Sequence, residues 1–490
     1  MQKTVLAKEL KEAIVKKRPI LEQLFNMYNG VSVAEYIESA SQISSTTDEI
    51  QARKQEFIAI FSKMVRSYFG EKIAQSVTAQ LQTHYVISTA EHHGPLTHSF
   101  FAHSNLFPNA KNVRHSIILS VGNVSLNNSS YPRGLIFHAP NGIEYKLPFF
   151  PSKDRLNSVL AQRSFTKNDI VRVFDNIRNL EQKDILQKSI TQKLEHVVEQ
   201  LSLQEKVINQ DLYSDQIVYI NEQLWKLFPF HSFSTPHMVT IQIEDVVSEL
   251  ILAHHISSQT EIYDLLFSQD MHDKLLLYGD GIPGNFSTAE KKGTFLFWAI
   301  PKGSSKRQRL WVQEKKLVSP EGFEVQLEPE FIKDALLNKE IIPSSFLCLL
   351  LLSEYYGLVC YGGFSQSTYL GLMKDGYRKM IGKPLASTIE MTQYIKSDFL
   401  LAYFKDTLGN YGDASAIDLL LYGETNSWES FYKTAKNVNL EEAMAPLFPE
   451  LYKILYSEHE RKDYLANLQV SDIFQMYQLI HKIEACIILK

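Results

Sequence analysis

Tyr85-Val86-Ile87-Ser88 leads into Glu91-His92-His93-Gly94-Pro95-Leu96-Thr97-His98-Ser99-Phe100-Phe101-Ala102-His103. An extended apolar tetrad is followed by a polar loop and then by a segment that reads as a helix. Seven of the chain's fifteen histidines fall between His84 and His138, four of them in this run. Imidazole titrates near neutrality and is a common metal ligand, so a histidine cluster on a strand-to-helix loop is a candidate site.

Upstream, 1–83 reads as a helical N-terminal segment, with Leu6, Leu10, Ile14 and Val15, then Ile58, Phe61 and Val65, at helical spacing. Ser45-Thr46-Thr47-Asp48 supplies a helix start. Downstream, the apolar runs 116–121 and 135–137 alternate with Gly/Asn/Ser-rich loops and helical stretches, the pattern of a mainly parallel α/β sheet. The reading is a Rossmann-like core in two halves, 84–180 and 291–385, split by a mainly helical insertion at 181–290 and followed by a helical C-terminal region at 386–490. Ile217-Val218-Tyr219-Ile220 and Met238-Val239-Thr240-Ile241 read as strands within the insertion, and Leu310-Trp311-Val312 as a hairpin partner of 294–300.

Composition narrows the class. With 490 residues, 44% hydrophobic and 21% charged, the chain can bury a large core and suits two to four domains. A net charge of −5 gives no basic face for nucleic acid. The longest apolar run, 346–352, is far below the roughly 20 residues a membrane helix requires. Three cysteines without metal spacing, and a charged N-terminus unlike a signal peptide, predict a reducing, cytoplasmic setting.

The histidine run admits three readings. His92, His93 and His98, with Glu91 as ligand or base, are the residue types of a zinc or iron site. The run lacks the H-E-x-x-H spacing that places two imidazoles on one helical face, so a metal is not the leading expectation. Alternatively, the unpaired amides of the following helix attract an anion, Gly94 allows close approach and Thr97 caps the helix. Thirdly, the histidines simply hydrogen-bond loop backbone or meet solvent.

Two further loops share the anion-binding character. Gly362-Gly363-Phe364-Ser365-Gln366-Ser367-Thr368-Tyr369 places paired glycines and polar side chains before a helix, although a capped tight turn explains the same residues. The loop after the second strand carries Asn123, Ser125, Asn127, Asn128 and Arg133, the last suited to clamping a carboxylate or phosphate.

Ala90-Glu91-His92-His93-Gly94-Pro95-Leu96-Thr97-His98-Ser99-Phe100-Phe101 aligns without a gap on a loop of the form G-Q-Q-x-G-L-L-T-G-P-L-Y, keeping Gly94, Leu96, Thr97 and an aromatic. Ile342-Pro343-Ser344 and Gly362-Gly363…Tyr369 follow the later I-P-T and G-P-G-E-I-x-Y segments. In this order of features, over roughly 10–385, the chain resembles the bacillithiol biosynthesis cysteine-adding enzyme family. The resemblance implies a nucleotidyltransferase-like Rossmann core, a nucleotide-accepting pocket and the joining of an amino acid to an amino sugar. Gly94, Thr97, Gly362, Gly363 and Tyr369 carry over as pocket positions. The family's paired glutamines are Glu91 and His92 here, and its helix lysine is Asn105.

These observations predict an enzyme with one pocket built from the three loops at the strand ends. His92, His93 and Glu91 are the expected catalytic groups. Gly94, Thr97, His98, Asn123, Ser125, Asn127, Asn128, Arg133, Gly362, Gly363, Ser365, Gln366 and Tyr369 are the expected ligand-binding residues. The expected ligand is ATP, another nucleotide or another anionic metabolite. The expected reaction is group transfer or ligase-like C–N bond formation on a small-molecule substrate, without nucleic acid or membrane and with a homodimer open. The alternatives are a metal-dependent enzyme using His92, His93 and His98, and a non-enzymatic interaction protein whose helical arms bind a partner.

Overall fold

Side-chain alternation along two neighbouring strands sets the layering of the molecule. In His115–Ser120 the pleat sends Ile118 into one hydrophobic core and Ile117 and Leu119 into another. In His237–Gln242, Met238 faces the first core, and Val239 and Ile241 the second. The computed structural model describes residues 3–40, 48–106, 114–228, 237–382, 398–423, 427–483 and 486–490.

These strands belong to a four-stranded, all-parallel sheet in the spatial order Val359–Tyr361, Val86–Ser88, His115–Ser120, His237–Gln242. Ile87 stands opposite Cys360, Ser88 opposite Ile118, and Ile117 opposite Val239. Burial on both faces explains why these strands read as continuous apolar runs. From the first strand the chain steps twice to one side. It then returns more than 110 residues later to the other side of Val86–Ser88.

A mixed α/β architecture is present, but among the described residues parallel pairing dominates this sheet alone. The expected core strand at 135–137 is instead half of an antiparallel hairpin, Gly134–His138 with Glu144–Pro148. Phe297–Ala299 runs antiparallel to Ile341–Pro343 and to Gln308–Arg309, whereas Trp311–Gln313 pairs with Lys316–Val318. The tail is not purely helical: Tyr403–Lys405, Tyr411–Asp413 and Cys486–Ile488 form a small mixed sheet. Strands of three residues are too short to show a period in the sequence.

Ile217-Val218-Tyr219-Ile220 lies in the helix Tyr213–Leu227 rather than in a strand. Eleven of that helix's fifteen residues are buried, so no polar stripe betrays its period. Met238-Val239-Thr240-Ile241 does form a strand.

The N-terminal helices divide between the two cores. Pro19–Met27 and the inward face of Lys3–Lys17 join the first core beside the tail helix Phe448–Leu455. Asp48–Phe69 and Glu71–Thr83 join the second, on the far face of the sheet. The helix start at Ser45–Thr47 lies outside the described residues. Among the described residues, no helix is long and apolar enough to cross a membrane.

Candidate functional site

The histidine loop leaves Val86–Ser88 as an irregular continuation of the strand. His93 N donates to the Val121 carbonyl at 2.8 Å and Val121 N donates to the Glu91 carbonyl at 2.8 Å. The loop is thereby tied to the carboxyl end of the neighbouring strand. On its other side, Thr89 N donates to the Tyr361 carbonyl at 2.8 Å, just before the Gly362-Gly363 turn.

Between the histidine loop and that turn lies a cavity of about 310 Å³. It opens at the carboxyl ends of Val86–Ser88 and Val359–Tyr361, where the chain's stepping direction reverses. Parallel sheets commonly place ligands at such a reversal. Of the expected site residues, His92, His98, Gly363, Ser365, Gln366 and Tyr369 line it. Ser129, Ser130, Asp398 and Glu450 complete its polar wall, and Phe100, Phe101, Phe364 and Leu451 its apolar wall.

The His92 ring is held through a relay. The Ser130 hydroxyl donates to Asn128 Oδ1 at 2.9 Å, and Ser130 Oγ lies 3.1 Å from His92 Nδ1. With its proton committed to Asn128, the serine oxygen accepts from His92 Nδ1–H, which leaves Nε2 as the basic nitrogen. Burial pushes the His92 pKa down to about 4, so the ring is neutral near pH 7. His98 is lowered as well, by burial, against the opposing charge of Asp413.

Gln366 is 3% exposed; its Nε2 donates to Thr89 Oγ1 at 2.9 Å, while its Oε1 has no hydrogen-bond partner. Tyr369 is held protonated by burial, with its hydroxyl pKa raised. Asp398 accepts from the Phe364 backbone N–H two residues before the helix Gln366–Ile381. An internal carboxylate therefore occupies an amide that an anionic ligand was expected to use. Among the described residues, the lining holds two carboxylates, Asp398 and Glu450, and neither lysine nor arginine.

The remaining expected residues serve other ends. Glu91 is fully buried and accepts from Ser88 Oγ at 2.8 and 2.9 Å and from Asn105 Nδ2 at 2.7 Å, which ties the loop to the following helix. His93 is fully buried, with Nδ1 2.6 Å from Ser120 Oγ and Nε2 2.8 Å from the Ser214 carbonyl. Both of its nitrogens are thus engaged away from the cavity.

Gly94 serves packing rather than ligand approach, because a Cβ there would lie 2.7 Å from Pro132. Thr97 is buried and does not cap: its Oγ1 has no hydrogen-bond partner, and the His98 ring faces the Phe100 amide instead. Gly362 makes room for its neighbour, since a Cβ would stand 2.3 Å from Gln366 Cβ.

In the polar loop, Asn123 binds Glu244 through its backbone N–H at 2.7 Å and accepts from Arg307. Ser125 bridges to Ser158, Asn127 is exposed, and Asn128 touches the His92 ring directly as well as through Ser130. The expected anion clamp, Arg133, does not line the cavity. Its guanidinium stands 5.8 Å from the Tyr131 ring and its buried Nε has no hydrogen-bond partner.

His92, His93 and His98 do not converge as a metal site, because His93 points to Ser120 and Ser214. Among the described residues, no group of three or more His, Cys, Asp or Glu is arranged to hold a metal ion.

Asp398 and Glu450 are the site residues that sequence reading missed. They lie more than 290 residues from the histidine loop, with no motif around either. No protein-family model and no curated protein matches the chain.

Proposed function

We propose that this protein is a small-molecule enzyme with a Rossmann-like core, catalysing group transfer or C–N bond formation at the His92 cavity. The relay through Asn128 and Ser130 carries this reading, because it offers His92 Nε2 as an acceptor at the strand-end cavity. A neutral imidazole of low basicity accepts a proton best from a nucleophile that becomes acidic as it attacks. Asp398 and Glu450 favour an amine or hydroxyl nucleophile as the occupant. Gln366 Oε1 adds a buried acceptor beside the turn. The nucleotide or other anionic group expected of the second reactant meets no cation among the described lining residues, whereas Asp398 and Glu450 suit the nucleophile's half of the reaction.

Thermal unfolding with ethanolamine, glucosamine or ATP tests the reading, because a ligand of the native state must raise the apparent stability. Stabilisation by the amines that is lost in Asp398→Asn supports it. Stabilisation by ATP alone restores the anion reading. No response to any of the three favours a non-enzymatic interaction role.

A further inference from the structure

A second cavity, of about 470 Å³, lies at the carboxyl end of the edge strand His237–Gln242. Its size is in the range that holds metabolites. Gln242, the last residue of the strand, lines it, is 5% exposed, and has a carboxamide oxygen without a hydrogen-bond partner. Beside it stands Asp245, whose Oδ1 lies 3.6 Å from Lys339 Nζ. Burial holds the Asp245 carboxyl above the usual carboxylate range, against the pull of Lys339. Lys302, on an exposed loop of the rim, has no carboxylate within ion-pair distance among the described residues. Leu160, Ile300 and Ile342 supply apolar wall.

The cavity therefore presents acceptors, the rim lysine Lys302 beside the Asp245–Lys339 pair and Glu340, and an aliphatic wall. We propose that it binds an α-amino acid with an aliphatic side chain: the ammonium on Gln242 and Asp245, the carboxylate on Lys302, the side chain against Leu160, Ile300 and Ile342. This site is distinct from the His92 cavity. Ser214 belongs to its wall and its carbonyl lies 2.8 Å from His93 Nε2, so the histidine loop is hydrogen-bonded to the wall of this second cavity without lining it.

Calorimetric titration of the full chain with L-leucine tests the proposal, with isoamylamine and 4-methylpentanoate as probes that each lack one charged end. Saturable 1:1 binding of L-leucine is expected, at least tenfold tighter than either probe. Gln242→Met and Lys302→Ala should each weaken it at least tenfold, and His92→Gln should leave it unchanged. Absence of L-leucine binding, or equal binding by the Lys302→Ala variant, overturns the proposal. Because Lys302 is exposed, that variant remains decisive even if Gln242→Met fails to fold. Failure of the His92 reading would show as unresponsiveness to amines while leucine still binds.

Discussion

His138 and Asp418 meet twice: His138 Nδ1 lies 2.6 Å from one carboxylate oxygen, and the His138 backbone N–H donates to the other at 2.6 Å. Asp418 also accepts from Ser415 N at 2.8 Å at the start of the helix Ala416–Tyr422, so one buried carboxylate joins the hairpin to the tail. Burial works against the charged imidazole, but Asp418 outweighs it and raises the His138 pKa above its ordinary 6.5. The ion pair's stabilisation is therefore fully present below pH 6.5 and lost as pH rises through the raised value. Asp418→Ala is expected to cost about 3–5 kcal/mol, the range for breaking a buried pair. Urea unfolding at pH 6 and pH 9 should show the larger difference from the wild type at pH 6.

His93 titrates in the opposite sense. Burial lowers its pKa from 6.5 to about 4, so the unfolded chain takes up a proton there before the folded chain does. Stability falls as pH drops from 6.5 towards 4, by on the order of 3 kcal/mol for this histidine, at about 1.4 kcal/mol per pH unit. His93→Gln should flatten that part of the acid limb while lowering stability at pH 8, where the bonds to Ser120 and Ser214 are lost. An acid limb as steep as the wild type's would refute the assignment.

Gly362 and Gln366 form a packing pair. Gly362→Ala drives a methyl group to 2.3 Å from Gln366 Cβ and should cost about 1–3 kcal/mol by overpacking. Adding Gln366→Gly should recover part of that loss, so the double-mutant cycle is expected to show coupling of at least 0.5 kcal/mol. Additive effects would mean that the turn tolerates a side chain.

The three cysteines should react unequally. Burial raises all three thiol pKa values, but Cys348 and Cys360 are buried out of reach of a reagent, whereas Cys486 is exposed at the tail sheet. Ellman's reagent is expected to label one thiol per native chain and three after unfolding in guanidinium.

Ser130→Ala removes the group that holds His92 Nδ1–H. The nitrogen-15 shifts of the His92 ring should move from a predominantly Nδ1–H tautomer towards a mixture, with His93 unaffected. An unchanged tautomer would remove Ser130 from the site.

The strand-loop-helix character of residues 85–103 was legible because apolar runs, a polar break and helical spacing are local signals. So was the glycine turn at Gly362-Gly363 before a helix. The same signals misread Ile217–Ile220, where a helix buried nearly all round has no polar stripe. They also misplaced 135–137, because strand character says nothing about which partner a strand takes. Of the histidine cluster, residue type identified the loop, but which imidazole faces the cavity depended on the neighbouring strand.

Sequence alone determined the α/β class and the position of the two loops that flank the cavity, since both follow from periodicity and turn chemistry over a few residues. The tertiary structure alone decided that His92 serves the cavity while His93 is locked to Ser120 and Ser214, that Gly94 and Gly362 are there for close packing, and that Asp398 takes a helix-entry amide. Each of these depends on a contact across at least four residues of chain, and most on a contact across more than twenty. Hydrogen-bond geometry and steric fit at that range arise only once the strands are in register.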